Sequence, residues 1–371
     1  RELATWMAAH PELSLQERDT AARYRAWLGE EGFALRDGPA EVPTAFVAER
    51  GGAPGGVPAA ALLAEMDALP GIGHACGHNL SGPASLAAAG ALAEALPPER
   101  LRVVVVGSPA EEIGVGKRRL VAAGTFDHVD VALMAHASDM RRAHRLFLGN
   151  RKLDLVYRGR AAHAAAYPER GVNALDGVVA LFVALGLLRQ QLPDGVRVHG
   201  VIREGGEAPN VIPERSRAEV WVRALDAGVL DDATARVRGC AEGAALATGT
   251  RLEVTELESS SPPLWPCLPL VGAYREALTA MGLAETDHAP DRAIGSSDVT
   301  HVSRVVPTIH PNFPIGTGLQ LHTRAFADAA ASGAGLAGLE EAARALAATV
   351  AAWALDPALR DAVAAAGPPR P

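Results

Sequence analysis

Cys76 and His78 stand two residues apart in the glycine-rich stretch Pro70-Gly-Ile-Gly-His-Ala-Cys-Gly-His-Asn79. In an extended segment alternate side chains share a face, so this spacing turns a thiol and an imidazole into one space. Thiolate and imidazole are the ligand pair that borderline-soft divalent metals prefer. Taken alone, the pair also reads as a buried cysteine beside a loop histidine, or as a nucleophile with its base. The second of these is opposed by acids elsewhere in the chain: carboxylates on neighbouring strand ends raise a thiol's pKa instead of lowering it.

Those acids follow apolar runs. Val57 to Met66 reads as a buried strand with Glu65 and Asp67 at its carboxyl end. Leu101 to Gly107, apolar on both faces as a covered parallel strand must be, runs into Ser108-Pro-Ala-Glu-Glu112. Val129 to Met134 runs into His136. In open α/β sheets ligands bind beyond the carboxyl ends of the strands. Three such endings, with the Cys76/His78 turn between the first two, predict a metal site at one sheet rim.

The remaining elements frame that rim. Ser14-Leu-Gln-Glu17 has the form of a capping box, and Leu15, Ala21, Tyr24 and Leu28 recur at helical spacing until Gly32. A strand is expected at Thr44 to Ala48, a turn at Gly51 to Pro58, and helices at Pro83 to Leu96 and Lys117 to Ala123. From about Asn150 the pattern changes. Strands at Arg151 to Arg158, Arg197 to Arg203, Ser216 to Ala224 and Arg251 to Leu257 alternate with helices at Asn173 to Leu192 and Ala227 to Ala247. The order β-α-β-β-α-β is that of a ferredoxin-like unit of about one hundred residues, inserted into the α/β chain. Ser259-Ser-Ser-Pro-Pro263 returns the chain to the first domain. There follow a helix at Leu268 to Met281, a cap-like stretch Ile294-Gly-Ser-Ser-Asp298, a strand at Pro307 to His310, a loop holding His322, and a helix from Ala337 to Leu355. The expected domains are 1–149 and 259–371 for the α/β part and 150–258 for the insertion.

Composition excludes several classes of partner. A chain of 371 residues with 49% hydrophobic and 21% charged content is an ordinary globular one, long enough for two domains. Its net charge of -8 and pI near 5.9 argue against nucleic acid or an anionic membrane. No wholly apolar run reaches the roughly 18 residues of a membrane span; Val129 to Ala137 is interrupted by Asp130 and His136. The N-terminal stretch has no signal pattern. Cys76, Cys240 and Cys267 are odd in number and widely spread, which suits the cytoplasm and no disulfide framework.

Motifs in order along nearly the whole chain carry a resemblance: His10-Pro-Glu-Leu-Ser14, Glu65-Met-Asp-Ala-Leu-Pro70, Gly73-His-Ala-Cys-Gly-His-Asn79, Pro109-Ala-Glu-Glu112, Gly159-Arg-Ala-Ala-His-Ala164, Gly171-Val-Asn-Ala-Leu175, Pro209-Asn-Val-Ile-Pro213 and Leu321-His322. The sequence resembles the dinuclear metallopeptidase family of aminoacylases, hippurate hydrolases and auxin-conjugate amidohydrolases in peptidase clan MH. Its nearest branch holds p-aminobenzoyl-glutamate hydrolases and the mammalian β-alanyl-lysine dipeptidase. Asn79 stands where many relatives have aspartate; the dipeptidase-like branch shares it, so it marks a subgroup and not a loss of activity.

The resemblance implies a doubly wound α/β catalytic domain with a mixed sheet, and an inserted ferredoxin-like α+β domain serving as lid and dimer interface. It implies two divalent metal ions held by Cys76, His78, Glu112, His136 and His322, with zinc favoured by the thiolate and Mn, Ni or Co compatible with the set. Glu111 would be the general base, since a carboxylate bound to metal is too weakly basic while its neighbour is free to act on water. Asp67 would orient a ligand, His163 stabilise the oxyanion and Asn210 contact substrate. The implied reaction is hydrolysis of the amide of an N-acyl or N-aroyl amino acid or a small dipeptide, by a homodimer. Read alone, Glu111-Glu112 is also a solvated helix start, His163 a surface residue, and Asp298 a helix cap; His74 and His310 take structural places. A non-catalytic metal-binding homologue and a cysteine-dependent hydrolase are the other two readings.

Overall fold

The computed structural model describes residues 1–53, 56–286 and 295–368, and the chain divides into two compact units. Parts of the expected Gly51 to Pro58 turn, and Ile294 of the cap-like stretch, lie outside the described residues. The first unit comprises Arg1–Leu146 and the stretches beginning at Leu264 and Ser297; the second comprises Phe147–Pro263 and a short return segment ending at Ser296.

The first unit opens with α1 (Glu2–Ala9), α2 (Arg18–Glu30), β1 (Ala34–Asp37), β2 (Phe46–Arg50), β3 (Ala59–Glu65), α3 (His78–Ala95), β4 (Arg102–Ser108), α4 (Gly116–Ala122), β5 (Val131–Leu133) and β6 (His136–Ser138). The second unit runs β7 (Gly149–Arg158), β8 (Ala162–His163), α5 (Ala174–Leu188), β9 (Arg197–Glu204), β10 (Val211–Ile212), β11 (Arg215–Ala224), α6 (Ala227–Thr248) and β12 (Arg251–Glu256). The first then resumes with α7 (Leu268–Ala280), α8 (Val299–Val302), β13 (Thr308–Ile309), β14 (Asn312–Pro314), α9 (Arg324–Ala330), α10 (Gly333–Leu355) and α11 (Pro357–Ala366).

The first unit is a mixed α/β structure. Its six-stranded sheet has the order β1-β2-β4-β3-β5-β13. β3 pairs in parallel with β4 and β5, and β5 with β13, while β2 joins β4 antiparallel and β1 joins β2 antiparallel. Every residue of β3 and β4 is buried, which is why both read as continuous apolar runs. From β3 the chain passes to β4 on one side, and from β4 to β5 on the other. The carboxyl ends of these strands therefore flank a topological switch point. α3 lies on β3 and against α10.

Two local readings of the first unit change. α3 starts at His78, not Pro83: Gly77, at φ 84, makes the left-handed entry, and Pro83 sits inside the helix. Cys76 and His78 thus meet across a glycine turn into a helix and not along an extended segment. Ser14-Leu-Gln-Glu17 is no capping box either. Glu17 occupies the N-cap of α2 without a side-chain cap bond, because its carboxylate and the Ser14 hydroxyl are engaged elsewhere.

The second unit has its own core, in which Leu153, Leu155, Tyr157, Val178, Leu181, Val220 and Val237 are buried. Its antiparallel sheet has the order β12-β7-β11-β9. Asn173 caps α5 and Asp226 caps α6 through their side chains. The stretch Ala174–Gln191 has a mean hydropathy of 1.3 and the length of a membrane span, although no uninterrupted apolar run of that length occurs in it. One side of it, with Val178, Leu181 and Leu185, is packed into the core; Val179, Val183 and Leu187 are exposed.

Candidate metal centre

The ends of β3, β4 and β5 deliver the predicted acids and histidine to one place, and the glycine turn delivers the other two ligand candidates. Ligand atoms of Cys76, His78 and His136 lie within 4.8 Å of one another, as do those of Cys76, His78, Glu111 and Glu112. Cys76 Sγ is 3.5 Å from His136 Nε2. His322, on a loop at φ 64, places Nε2 3.6 Å from Glu112 Oε2, and its backbone N–H donates to Ala75 O.

Both buried imidazoles are fixed from behind. His78 Nδ1 donates to Asp67 O at 2.8 Å and lies 3.2 Å from Asp67 Oδ1. His136 Nδ1 donates to Ala137 O at 2.8 Å. Each therefore turns Nε2 toward the cluster, the arrangement by which a backbone carbonyl or carboxylate orients a metal-binding histidine. Asp67 Oδ2 also accepts from Ser14 Oγ at 2.7 Å and from the Glu112 N–H at 3.0 Å, so one carboxylate positions His78 and Glu112 together. Burial would raise Asp67, but the bonds from His78, Glu112 and Ser14 outweigh it and hold it below its ordinary value.

The donor set fits a cation. His78 Nε2, Glu65 Oε2 and Glu112 Oε1 are buried without a hydrogen bond, a costly state for polar atoms in the interior, although His78 Nε2 and Glu65 Oε2 face each other at 3.3 Å. Burial would lower His78, yet the Glu65 carboxylate and the Cys76 thiol drive it well above the ordinary histidine value. That marks a strongly negative potential at Nε2. Burial, then the positive charge of His78, outweighs the pull of Glu65 and holds His136 down at about 4, so its ring is neutral. Burial pushes the Cys76 thiol up, with Glu112 and Glu111 adding to it. Such a thiol is a poor nucleophile without a cation to hold its thiolate. Glu111, raised well above the carboxylate range by burial and then by Glu65 and Asp298, is the carboxyl best prepared to hold a proton.

Residues without a distinct signal in the sequence complete the surroundings. Lys117 is fully buried and donates to Glu65 Oε1 and Asp298 Oδ1, each at 2.6 Å. Asp298 stands at the N-cap of α8 but makes no cap bond; its other oxygen accepts from the Lys117 backbone N–H. The helix-cap reading of Asp298 is therefore corrected, since the buried ammonium outcompetes a neutral amide for its charge. His310 stacks on His136 with ring centroids 5.3 Å apart. His74 is buried beside the site, and burial followed by His78 holds it down at about 3.

His163 and Asn210 belong to the second unit. β8 and β10 pair there with His163 opposite Val211, and Ala164 N–H donates to Asn210 O. His163 Nδ1 accepts from the Ala165 and Ala166 N–H groups at 3.3 and 3.2 Å. With Nδ1 accepting, Nε2 is the ring nitrogen left to donate.

Comparison with known proteins gives a consistent result. The family profile "Peptidase family M20/M25/M40" matches residues 61–352. The "Xaa-Arg dipeptidase" of Mus musculus is 40% identical over 312 residues, covering 82% of this chain and 72% of that protein. A p-aminobenzoyl-glutamate hydrolase chain of Escherichia coli (strain K12) is 33% identical over 305 residues, covering 76% of this chain and 63% of that protein. Among solved structures, the Bacillus subtilis YXEP protein, described as a dinuclear metal binding peptidase from the M20 family, superposes with a TM-score of 0.71 at 24% identity, covering 94% of this chain and 96% of that one. The aminobenzoyl-glutamate utilization protein of Klebsiella pneumoniae does so with a TM-score of 0.69 at 22% identity, covering 93% and 94%. The family and the branch that the sequence resembles are the ones returned.

Proposed function

This chain belongs to peptidase family M20/M25/M40, and we propose that it hydrolyses the amide bond of an N-acyl or N-aroyl amino acid or a small dipeptide with the residues gathered at the first unit's sheet rim. The observation that carries this reading is the cluster itself: sulfur, imidazole and carboxylate atoms within 4.8 Å, with buried atoms that make no hydrogen bond among them. Cys76, His78, Glu112, His136 and His322 hold two divalent metal ions, with zinc the best match to a thiolate-containing set and Mn, Ni or Co compatible. When bound, such ions supply Lewis acidity that polarises the amide carbonyl and acidifies water.

The chain's own groups divide the remaining work. Glu111 takes the proton from the attacking water and returns it to the departing amine. Asp67 keeps His78 in the tautomer that offers Nε2 and holds the Glu112 backbone. His163, with its proton on Nε2, donates to the developing oxyanion. Asn210, beside it, contacts substrate. The second unit serves as lid and dimer interface. Support for a homodimer comes from Val179, Val183 and Leu187, exposed at one-turn intervals along α5, and from Val201 and Ile202, exposed on the edge strand β9. All three cysteines are free thiols, as in a reducing cytoplasm.

A panel of N-acetyl and N-aroyl amino acids and dipeptides, incubated with metal-loaded protein and analysed by mass spectrometry, tests the reading. Cleavage of at least one class is expected, abolished by chelation. Glu111→Gln should lower kcat by roughly 10²–10⁴-fold while keeping its metal. Turnover that survives chelation but is lost on thiol alkylation would instead establish a cysteine-dependent hydrolase.

A further inference from the structure

Among the described residues, three that are not glycine have positive φ, and each is a candidate ligand or adjoins Ser14 or Glu111: Leu15 at 64°, Ala110 at 60° and His322 at 64°. A left-handed conformation costs an L-residue about 1 kcal/mol or more and persists where its surroundings enforce it. For two of the three, the enforcing group is the same side chain. Glu17 is fully buried, and its Oε1 accepts the Leu15 N–H and the Ala110 N–H, each at 2.9 Å. Its Oε2 accepts from Thr44 Oγ1 at 2.8 Å. A buried carboxylate with three donors is satisfied, but an apolar side chain would have been the cheaper way to fill that space.

What Glu17 holds is the Pro109–Ala110 amide, one peptide ahead of the one that leads into Glu111. On the other side of Glu111, the Glu112 N–H is held by Asp67. The general base is thus bracketed by two amides, each bound to a different buried carboxylate, and Ser14 joins the brackets by donating to Asp67. The loop has no slack beyond them: a Cβ on Gly116 would stand 1.7 Å from Pro109 O. We infer that Glu17 is a positioning residue for Glu111, fixing the direction of the base through the Ala110 amide while Asp67 independently fixes the metal-side neighbour Glu112. This rests on Glu111 being the base.

The two clamps can be separated. Glu17→Ala should lower kcat about 10- to 100-fold, the scale expected when a reacting group is displaced by about an ångström. KM and the metal-to-protein ratio should stay within about twofold of wild type, since the Asp67 clamp is intact. Glu17→Gln keeps a carbonyl oxygen for both amides and should restore kcat to within about threefold. Hydrogen exchange in metal-free protein should accelerate at the Ala110 amide in Glu17→Ala and not at the Glu112 amide. If Glu17→Ala does not fold, Glu17→Asp, which retracts the charge by one methylene, should show the same kcat loss with unchanged KM and metal content. Wild-type kcat in the shortened variant, or a loss of metal and kcat together that Glu17→Gln does not repair, would overturn the inference. Glu111→Gln serves as the reference: full turnover there would remove the base assignment, whereas an inactive Glu111→Gln beside a fully active Glu17→Ala would remove the positioning role alone.

Discussion

Lys117 Nζ lies 2.6 Å from Glu65 Oε1, and neither side chain has any exposure to solvent. The ammonium also binds Asp298, and the carboxylates of Glu65, Asp298 and Glu111 come within 4.8 Å of one another. Burial raises Glu65, yet Lys117 and then His78 draw it down to about 2. One cation therefore holds together acids that would repel.

Lys117→Met keeps the length of the side chain and removes that charge. Breaking a buried ion pair by deleting one partner costs about 3–5 kcal/mol, because the surviving charges stay buried without compensation. Denaturant unfolding at pH 7 should show a loss of this size, and adding Asp298→Asn should recover part of it. A change below about 1 kcal/mol would mean that water already reaches these acids.

His74 gives a pH dependence. In the fold it titrates at about 3, against roughly 6.5 in an unfolded chain. The folded ring stays neutral while the unfolded one takes up a proton, so its contribution is complete above about 6.5 and declines as pH falls toward 3. The raised carboxyls of Glu111 and Asp298 work in the opposite direction, whereas His78 is protonated in both states below 6.5 and adds no slope. The difference between chelated wild type and chelated His74→Phe isolates the histidine. Wild type should lose about 1 kcal/mol relative to the variant for each pH unit below 6.5, read from denaturation curves between pH 7 and 5.

The parts of this arrangement legible in the sequence are those with periodic or terminal signals. β3 and β4 are buried on both faces, so their apolar runs stand out, and Glu65, Asp67, Glu111 and Glu112 stand at or just beyond their ends. Asn173 and Asp226 mark the starts of α5 and α6. β1 carries no such signal because all four of its residues are exposed. α1 is only eight residues long, too short for its periodicity to register. Lys117 opens a Lys-Arg-Arg run that reads as a solvated face, and only tertiary contact distinguishes its buried ammonium from the guanidinium groups that follow. The Ser14/Glu17 spacing suggests a local cap, but Ser14 bonds to Asp67, and Glu17 to Thr44 and Ala110, across the fold.

Val183, on α5, is 62% exposed between Val179 and Leu187, an apolar stripe that a covering surface would stabilise. If a second copy provides that cover, Val183→Asp should lower the mass measured by light scattering to that of one 38.4 kDa chain. Unfolding of the variant at high protein concentration should come at lower temperature than that of wild type, because the dimer no longer contributes by mass action. Wild type already running as a single chain would exclude this interface.

Gly77 separates Cys76 from His78, at φ 84, and a Cβ there would stand 2.6 Å from Ala137 Cβ and 3.3 Å from Phe326 Cε1. Gly77→Ala therefore combines left-handed strain of about 1 kcal/mol with a collision against the residue that follows His136. Relief requires the turn and the β6 strand to move apart, which separates Cys76 and His78 from His136. Gly71→Ala is the matched control, for Gly71 has φ 72 and nothing within 4 Å of its added Cβ, so it incurs the strain alone. Stability should fall by about 1 kcal/mol in Gly71→Ala and by about 2–3 kcal/mol in Gly77→Ala. Cobalt-loaded protein should distinguish them more sharply. The thiolate-to-cobalt absorption band should persist in Gly71→Ala and be lost or shifted in Gly77→Ala, with metal dissociation faster by at least about tenfold, the loss expected when ligand orientation is disturbed. Equal bands in the two variants would mean that Cys76 and His78 do not grip the same ion from either side of this turn.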